Sequence, residues 1–545
     1  MSKFCIFLLF SFLPLSLFSE NLRVRIEIET HDEVYILHDL GIPIENLRPN
    51  FVETHLSLKE IEKLENLGYR VAIMPPVQPK GGYHDYIALT AKLDSIAEDY
   101  PEITRLVSIG QSVEGREIWA LKITDNPDSQ EVEAEVRIAS TIHGNEPPGT
   151  EIILKMINSL TQLYGTDTAI ANLVDNREIW FVPMLNPDGN AHISRYNANG
   201  IDLNRNFPVP DGSIGQDSTY KLETETEAMI DWSDTMSFVL SCMYHTGALV
   251  VNYPWDYSPD PTPEHDLIKQ LSIGYAVLNY PMLYNSDSIS SYGSTWEKGT
   301  VWGWYWYPVY GSLQDWSYHE TNCIDLTIEI SNVKWLYTTY LENIWEDNRE
   351  SMLYLIRKAG TGLSGVVTDY LSGDPLFATV SVLGIDKSIH TDPAVGDYHR
   401  MLLNGIYTVE VSADGYTTKT IPDVTVDFNG VTTLDVRLFQ EEKPVSLFLS
   451  VYPNPFNSSA VIRLECLECI DHVDAAVTRS QHSIRIYDAS GRIIRTLPIT
   501  DCLSPITEVV WDGRDGRNRK VRIGCYYLLL EVEGESLCRK VVVCR

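Results

Sequence analysis

Alternation of apolar and polar positions is the first signal in the chain. NLRVRIEIET (21–30) alternates as a strand with one buried face. SLKEIEKLENLGYRVAIM (57–74) then spaces its apolar residues as a short helix, stops at Gly68 and resumes as a strand. This predicts a small α/β unit over residues 20–76. PPVQPKGG (75–82), with three prolines and two glycines, reads as a linker, so the unit before it reads as a pro-segment. From Tyr83 to Gly360 helices and apolar strands alternate. YIALTAKLDSIAEDY and TEIILKMINSLTQLY have helical spacing; EVRIASTI, REIWFVPML, FVLSCMYHT and CIDLTIEIS are apolar runs of strand length. The pattern predicts an α/β domain over 83–360, a mixed or parallel sheet covered by helices. Functional residues are expected at the carboxyl ends of those strands. Residues 361–440 change to short alternating strands (ATVSVLG, GIYTVEVSADGY, TTLDVRLF) joined by Gly, Asp and Asn turns, and predict a β-sandwich. Residues 446–545 predict a second one, with HSIRIYDASGRIIRTL as a hairpin turning at Ala489-Ser490-Gly491.

Charge sharpens this division. The 545 residues hold 42 basic and 75 acidic side chains, a formal charge of −33. Residues 446–545 are near neutral, with 13 basic against 12 acidic, so the acidity belongs to the preceding domains. Such a surface repels phosphate, which argues against nucleic acid as a partner. At the N-terminus Lys3, the apolar run Cys5–Phe18 and Ser19 have the form of an export signal over 1–19. That run is short for a bilayer span, and no later run reaches about 18 apolar residues, so the expectation is a secreted protein with no stable membrane span. Of nine cysteines, six (Cys466, Cys469, Cys502, Cys525, Cys538, Cys544) crowd the last eighty residues. In an oxidising compartment they suggest disulfides, with the pairing open.

The candidate chemistry sits at strand ends. EVRIASTIHGNEPPG ends an apolar run in His143, with Glu146 three residues on and a Pro-Pro-Gly turn behind. A lone His-x-x-Glu is weak evidence; its place just past a buried strand is stronger. A catalytic zinc site needs a third protein ligand and an open fourth position. FVLSCMYH supplies His245 at the end of a second apolar run, and CIDLTIE ends a third in the carboxylate Glu329.

Together TIHGNEPPG, MLNPDGN, NANGIDLNRNFP, HTGALVVNYPWD and YPVYGSLQDWSY…TNCIDLTIE resemble the zinc metallocarboxypeptidases, the subfamily of carboxypeptidases N, E and D above all. The resemblance covers about residues 83–360 and implies the metallocarboxypeptidase fold, a mixed sheet of the eight-stranded type covered by helices. It implies one zinc ion on His143, Glu146 and His245, and Glu329 as general base. It implies Asn204 and Arg205 for the substrate's terminal carboxylate, Arg195 for the scissile carbonyl and Tyr307 over the substrate. It also implies Asp202 as the carboxylate orienting His143. Asp256 and Gln314 match the acidic and polar walls of a pocket for a C-terminal Lys or Arg. Asn145 stands where the digestive branch carries an arginine, which fits the N/E-type branch. Residues 361–440 resemble the transthyretin-like carboxypeptidase regulatory domain. Residues 446–545 resemble type IX secretion sorting domains, which implies the secretion machinery as a partner; the six cysteines depart from that pattern.

The expected activity is removal of one residue from peptide or protein C-termini, with preference for Lys or Arg. Two alternatives stand beside it: a peptidoglycan peptidase of the same fold, and an inert surface binding module.

Overall fold

The computed structural model describes residues 21–48, 50–75, 81–212, 221–288, 296–441, 447–466, 483–499, 506–532 and 535–544. The export segment over 1–19 and the linker core 76–80 lie outside the described residues. Residues up to Gln440 form one compact unit and residues from Glu441 a second.

The N-terminal segment folds as the alternation predicts. Strands β1 (Leu22–Glu27), β2 (Asn46–Arg48), β3 (Phe51–Leu56) and β4 (Val71–Ile73) make a sheet in the order β2-β3-β1-β4. Helices α1 (Asp32–Asp39) and α2 (Leu58–Asn66) accompany it. Ser57 and Glu60 form a reciprocal capping box that starts α2. Helix α1 and strands β2 and β3 were not legible as separate elements, because none carries a long periodic run.

The following domain has a sheet of β5 (Thr104–Gln111), β6 (Glu117–Ile123), β7 (Ala134–Ser140), β8 (Arg177–Val182), β9 (Phe238–His245), β10 (Leu249–Tyr253), β11 (Trp296–Glu297), β12 (Thr300–Trp302) and β13 (Ile324–Ile330). Their order is β11-β12-β10-β13-β9-β7-β8-β6-β5. The nine strands exceed the expected eight-stranded type by the two-residue edge strand β11. The central strands β13, β9, β7 and β8 are mutually parallel. β7, β9 and β13 are buried along their whole length, which is why they read as continuous apolar runs rather than alternating ones. Helix α3 (Tyr86–Asp99), capped by the Asp85 carboxylate on the Ala88 N–H, buries Leu89, Leu93 and Ile96 along one stripe. Helix α4 (Pro148–Leu163) starts directly behind the His143–Glu146 loop, with Pro148 in its first turn.

The sandwich after Gly362 consists of two four-stranded sheets around its own core. It is tied to the sheet domain by Lys387, whose Nζ donates to the carbonyls of Tyr318, His319 and Thr321 at 2.6, 3.1 and 2.7 Å. A buried Arg400–Glu264 ion pair at 3.1 Å adds to this. The second compact unit is also a sandwich, of three and four strands. Its hairpin pairs Ser483–Asp488 with Ile493–Pro498 as expected. Here the disulfide expectation fails for the described residues: Cys525, Cys538 and Cys544 are free thiols, as are the buried Cys242 and Cys323. Cys525 faces Val542 and Cys538 faces Leu529 across one strand pair, so register keeps them apart. The side chains of Cys466, Cys469 and Cys502 lie outside the description. No described helix is long and apolar enough to cross a membrane.

Candidate active site

Two neighbouring parallel strands deliver the candidate ligands. β7 ends at Ser140 and its continuation carries His143 and Glu146; β9 ends at His245. Thr141, at φ 54°, turns the chain out of β7. Such a conformation strains a β-branched residue and is typical of functional turns. Its Oγ1 is 2.8 Å from Thr150 Oγ1, which helps to hold the turn. The MLNPDGN motif supports the loop from behind. Asn186 Nδ2 donates to the Ile142 carbonyl at 3.0 Å, and Asn190 Nδ2 to the Gly144 carbonyl at 3.1 Å. A Cβ on Gly144 would lie 1.9 Å from the Gly189 carbonyl carbon, so the two loops approach as only glycine permits.

The ligand atoms converge. His143 Nδ1 and His245 Nδ1 are 3.1 Å apart, and each lies 3.3 Å from an oxygen of Glu146. All three side chains are buried and their ligand atoms lie within 4.8 Å of one another. Two facing imidazole nitrogens and a carboxylate suit zinc in donor type and number. The far nitrogen of His143, Nε2, is 3.1 Å from Asp202 Oδ1, a contact that can orient the ring.

The other expected residues surround this centre. Arg195 is buried, donates through Nε to Asp202 Oδ2 at 2.8 Å and places Nη1 3.6 Å from Glu146 Oε1. Burial opposes its charge, but Asp202, Glu45 and Glu146 outweigh that and raise its pKa. Asn204 accepts the Leu313 N–H through Oδ1 at 3.0 Å, which leaves its Nδ2 to donate. Beside it, Arg205 Nη1 donates to the Asn204 carbonyl at 2.8 Å. Glu329 pairs with His245 in the strand register and accepts the Ala248 N–H through Oε2 at 3.1 Å. Burial, and then the charge of Glu146, raise its pKa.

Asp256 is a buried group rather than a solvated turn residue, at 3% exposure. Asn252 Nδ2 donates to it at 3.0 Å, and burial pushes its pKa up to about 6. Gln314 is buried too and accepts the Thr327 N–H at 2.9 Å. Gly303 completes this wall: a Cβ there would lie 1.9 Å from Asp256 Oδ1. Tyr307 is half-buried beside Trp306, and burial raises its pKa to about 12.

Two contributors went unseen in the sequence. Lys334 Nζ reaches Glu146 Oε1 at 3.3 Å, and the Lys334 carbonyl accepts Thr246 Oγ1 at 2.9 Å. No pattern marks that lysine. Glu45, from the N-terminal unit, is buried and accepts Tyr196 OH at 2.9 Å, next to Arg195 in the chain. Nothing in its flat segment foretold the contact.

The zinc carboxypeptidase pattern matches residues 89–351, and the carboxypeptidase regulatory-like domain matches residues 362–439. The catalytic chain of carboxypeptidase N from Homo sapiens is 33% identical over 380 residues, covering 62% of this chain and 82% of that protein. The chain belongs to the zinc carboxypeptidase family. Carboxypeptidase D from Homo sapiens is 36% identical over 384 residues; that match covers 67% of this chain and spans 27% of the length of carboxypeptidase D. Among zinc carboxypeptidases of known structure, carboxypeptidase A from Helicoverpa armigera superposes with a TM-score of 0.50. At 18% identity it covers 63% of this chain and 98% of that one, and shows the shared fold.

Proposed function

We propose that the protein is a zinc-dependent exopeptidase that hydrolyses the C-terminal peptide bond of peptides and proteins, preferring a C-terminal Lys or Arg. The observation that carries this is the convergence of His143, Glu146 and His245 with Glu329 at the carboxyl ends of three adjacent strands. Zinc held by the three ligands supplies Lewis acidity at the scissile carbonyl. Glu329 keeps Oε2 on the Ala248 N–H, which leaves Oε1 to accept the attacking water's proton and return it to the leaving amine. Arg195, locked by Asp202, offers fixed positive charge where the oxyanion develops. Arg205 and the Asn204 amide take the substrate's terminal carboxylate. Asp256, buried with the Asn252 amide donating to it at 3.0 Å, favours a basic side chain that neutralises it.

Residues 20–76 act in this reading as a segment overlying the cleft. Their apolar core is continuous with Ala248, Val250, Val301 and Trp306 of the sheet domain, with Tyr307 packed against it. Arg48 donates to the Asn332 carbonyl at 2.5 Å on one side, Glu45 takes Tyr196 OH in the middle, and His31 meets the Trp306 carbonyl on the other. In this reading the enzyme acts outside the cell, delivered by the secretion machinery; the export-like pattern of residues 1–19 and the sorting-like pattern of residues 446–545 support it. The near-neutral charge of residues 446–545 supports their being a separate delivery module.

The deciding experiment is mass spectrometry of products from a mixed peptide library, with and without chelator. Single-residue loss that stops with chelator and returns with zinc is expected. Cleavage of muropeptides beside diaminopimelate in its place would make the protein a peptidoglycan peptidase. Stoichiometric zinc with no amino acid released from any peptide would make it an inert module.

A further inference from the structure

Helix α1 sets two histidines against the loop that carries Tyr307. His31, at its N-terminal boundary, lies with Nε2 2.8 Å from the Trp306 carbonyl. His38, in its last turn, stacks on the Tyr310 ring at a centroid separation of 5.7 Å, and its buried Nε2 has no hydrogen-bond partner among the described residues. Between them Tyr35 OH donates to the Trp304 carbonyl at 3.4 Å. Positions 31, 35 and 38 share one helix face. That face therefore grips the loop on both sides of Tyr307.

The surroundings of both rings disfavour positive charge. His31 has Asp32 beside it in sequence, but from the opposing loop it meets the Trp306 carbonyl; burial dominates and lowers its pKa. His38 has Asp39 at 3.6 Å on its own helix, itself largely exposed, and faces Arg205 across the contact. Asp211 lies beyond, near Tyr310. Burial lowers the His38 pKa, Asp39 opposes the shift, and the Arg205 charge adds to it.

We propose that α1 is a pH-operated latch, in which protonation of His31 and His38 releases the helix from the Trp304–Tyr310 loop and unlocks the cleft. This rests on the reading of residues 20–76 as a segment overlying that cleft. The sign follows from linkage. Both histidines titrate lower when docked than when free, so docking is fully supported above the free value of 6.5 and weakens as pH falls below it. Glu45 does not reverse this. Burial would raise its pKa, but His55 and then Arg195 and Lys334 hold it down to about 2, so it stays ionised throughout. Its partner His55 belongs to the same unit.

Hydrogen exchange by mass spectrometry on the full chain at pH 7.5 and 5.5, corrected for the intrinsic pH effect, tests the latch. Protection of residues 32–39 and 304–310 is expected to fall about 10-fold or more at pH 5.5. Protection of β7 and β9 should stay constant. In His31→Gln/His38→Phe the fall should disappear. Should that double variant lack protection already at pH 7.5, His38→Phe alone should retain protection there and show a smaller fall than wild type. Constant protection in the wild type, or an undiminished fall in the variant used, overturns the proposal. Exchange needs no turnover, so a failed latch is distinguishable from a failed carboxypeptidase assignment, which product release decides.

Discussion

Glu329 stands opposite His245 in the parallel pairing of β13 with β9. Adjacent parallel strands are about 4.8 Å apart, so this register sets the candidate base one strand spacing from a zinc ligand with no loop between them. A site built on strands is held more precisely than one built on loops.

Glu329→Gln should therefore bind zinc normally and lose about 10²–10⁴-fold in kcat, since an amide cannot accept the water's proton. Metal analysis beside kinetics on a short peptide checks both halves. A near wild-type rate would place the base elsewhere.

His143→Ala, Glu146→Ala and His245→Ala should each lose metal and activity together, because two protein ligands seldom hold zinc. Gly144→Ala is a subtler version. Its Cβ meets the Gly189 and Asn190 backbone, so the ligand loop must shift, and zinc affinity should fall about 10–100-fold with all three ligands intact. Competition with a fluorescent chelator measures it.

Asp256→Ala should cut the preference for C-terminal Arg over Leu by about 10²–10³-fold in kcat/KM, as sites with unsatisfied buried polar groups lead one to expect. An unchanged preference in the variant would exclude Asp256 as its source.

The same residue gives the preference a pH profile. Burial raises its pKa from 3.8 to about 6, so the free pocket is charged only above that value. The Arg:Leu ratio of kcat/KM should climb as pH rises through about 6 and then level off. The sign for the unliganded fold is opposite: an acid whose pKa is raised by folding destabilises as it ionises, between 3.8 and 6.

Cutting at the 76–83 linker and removing residues 20–76 should raise turnover of small peptides. Unchanged rates after clean removal would make the segment a constitutive domain.

The strand-end ligands were legible because fully buried parallel strands read as apolar runs, and a His or Glu closing such a run stands out. Asp256 was legible only through the resemblance, yet its burial now gives that assignment a physical basis. The role of Glu45 was not legible, since it depends on which face of one unit meets which face of another, and periodicity reports a face without its partner. Lys334 lies in an irregular segment, where no repeat exists to be read. For Cys525 and Cys538 count alone suggested oxidation, whereas strand register decides reach.

The core that the N-terminal unit shares with Val250, Val301 and Trp306 has a consequence for the linker. An unbroken linker holds the two surfaces at an effective concentration on the order of millimolar. A single cut removes that tether but none of the apolar contact. Occupancy of the cleft then becomes a bimolecular equilibrium, and the nicked protein should remain quiet in concentrated solution and awaken on dilution.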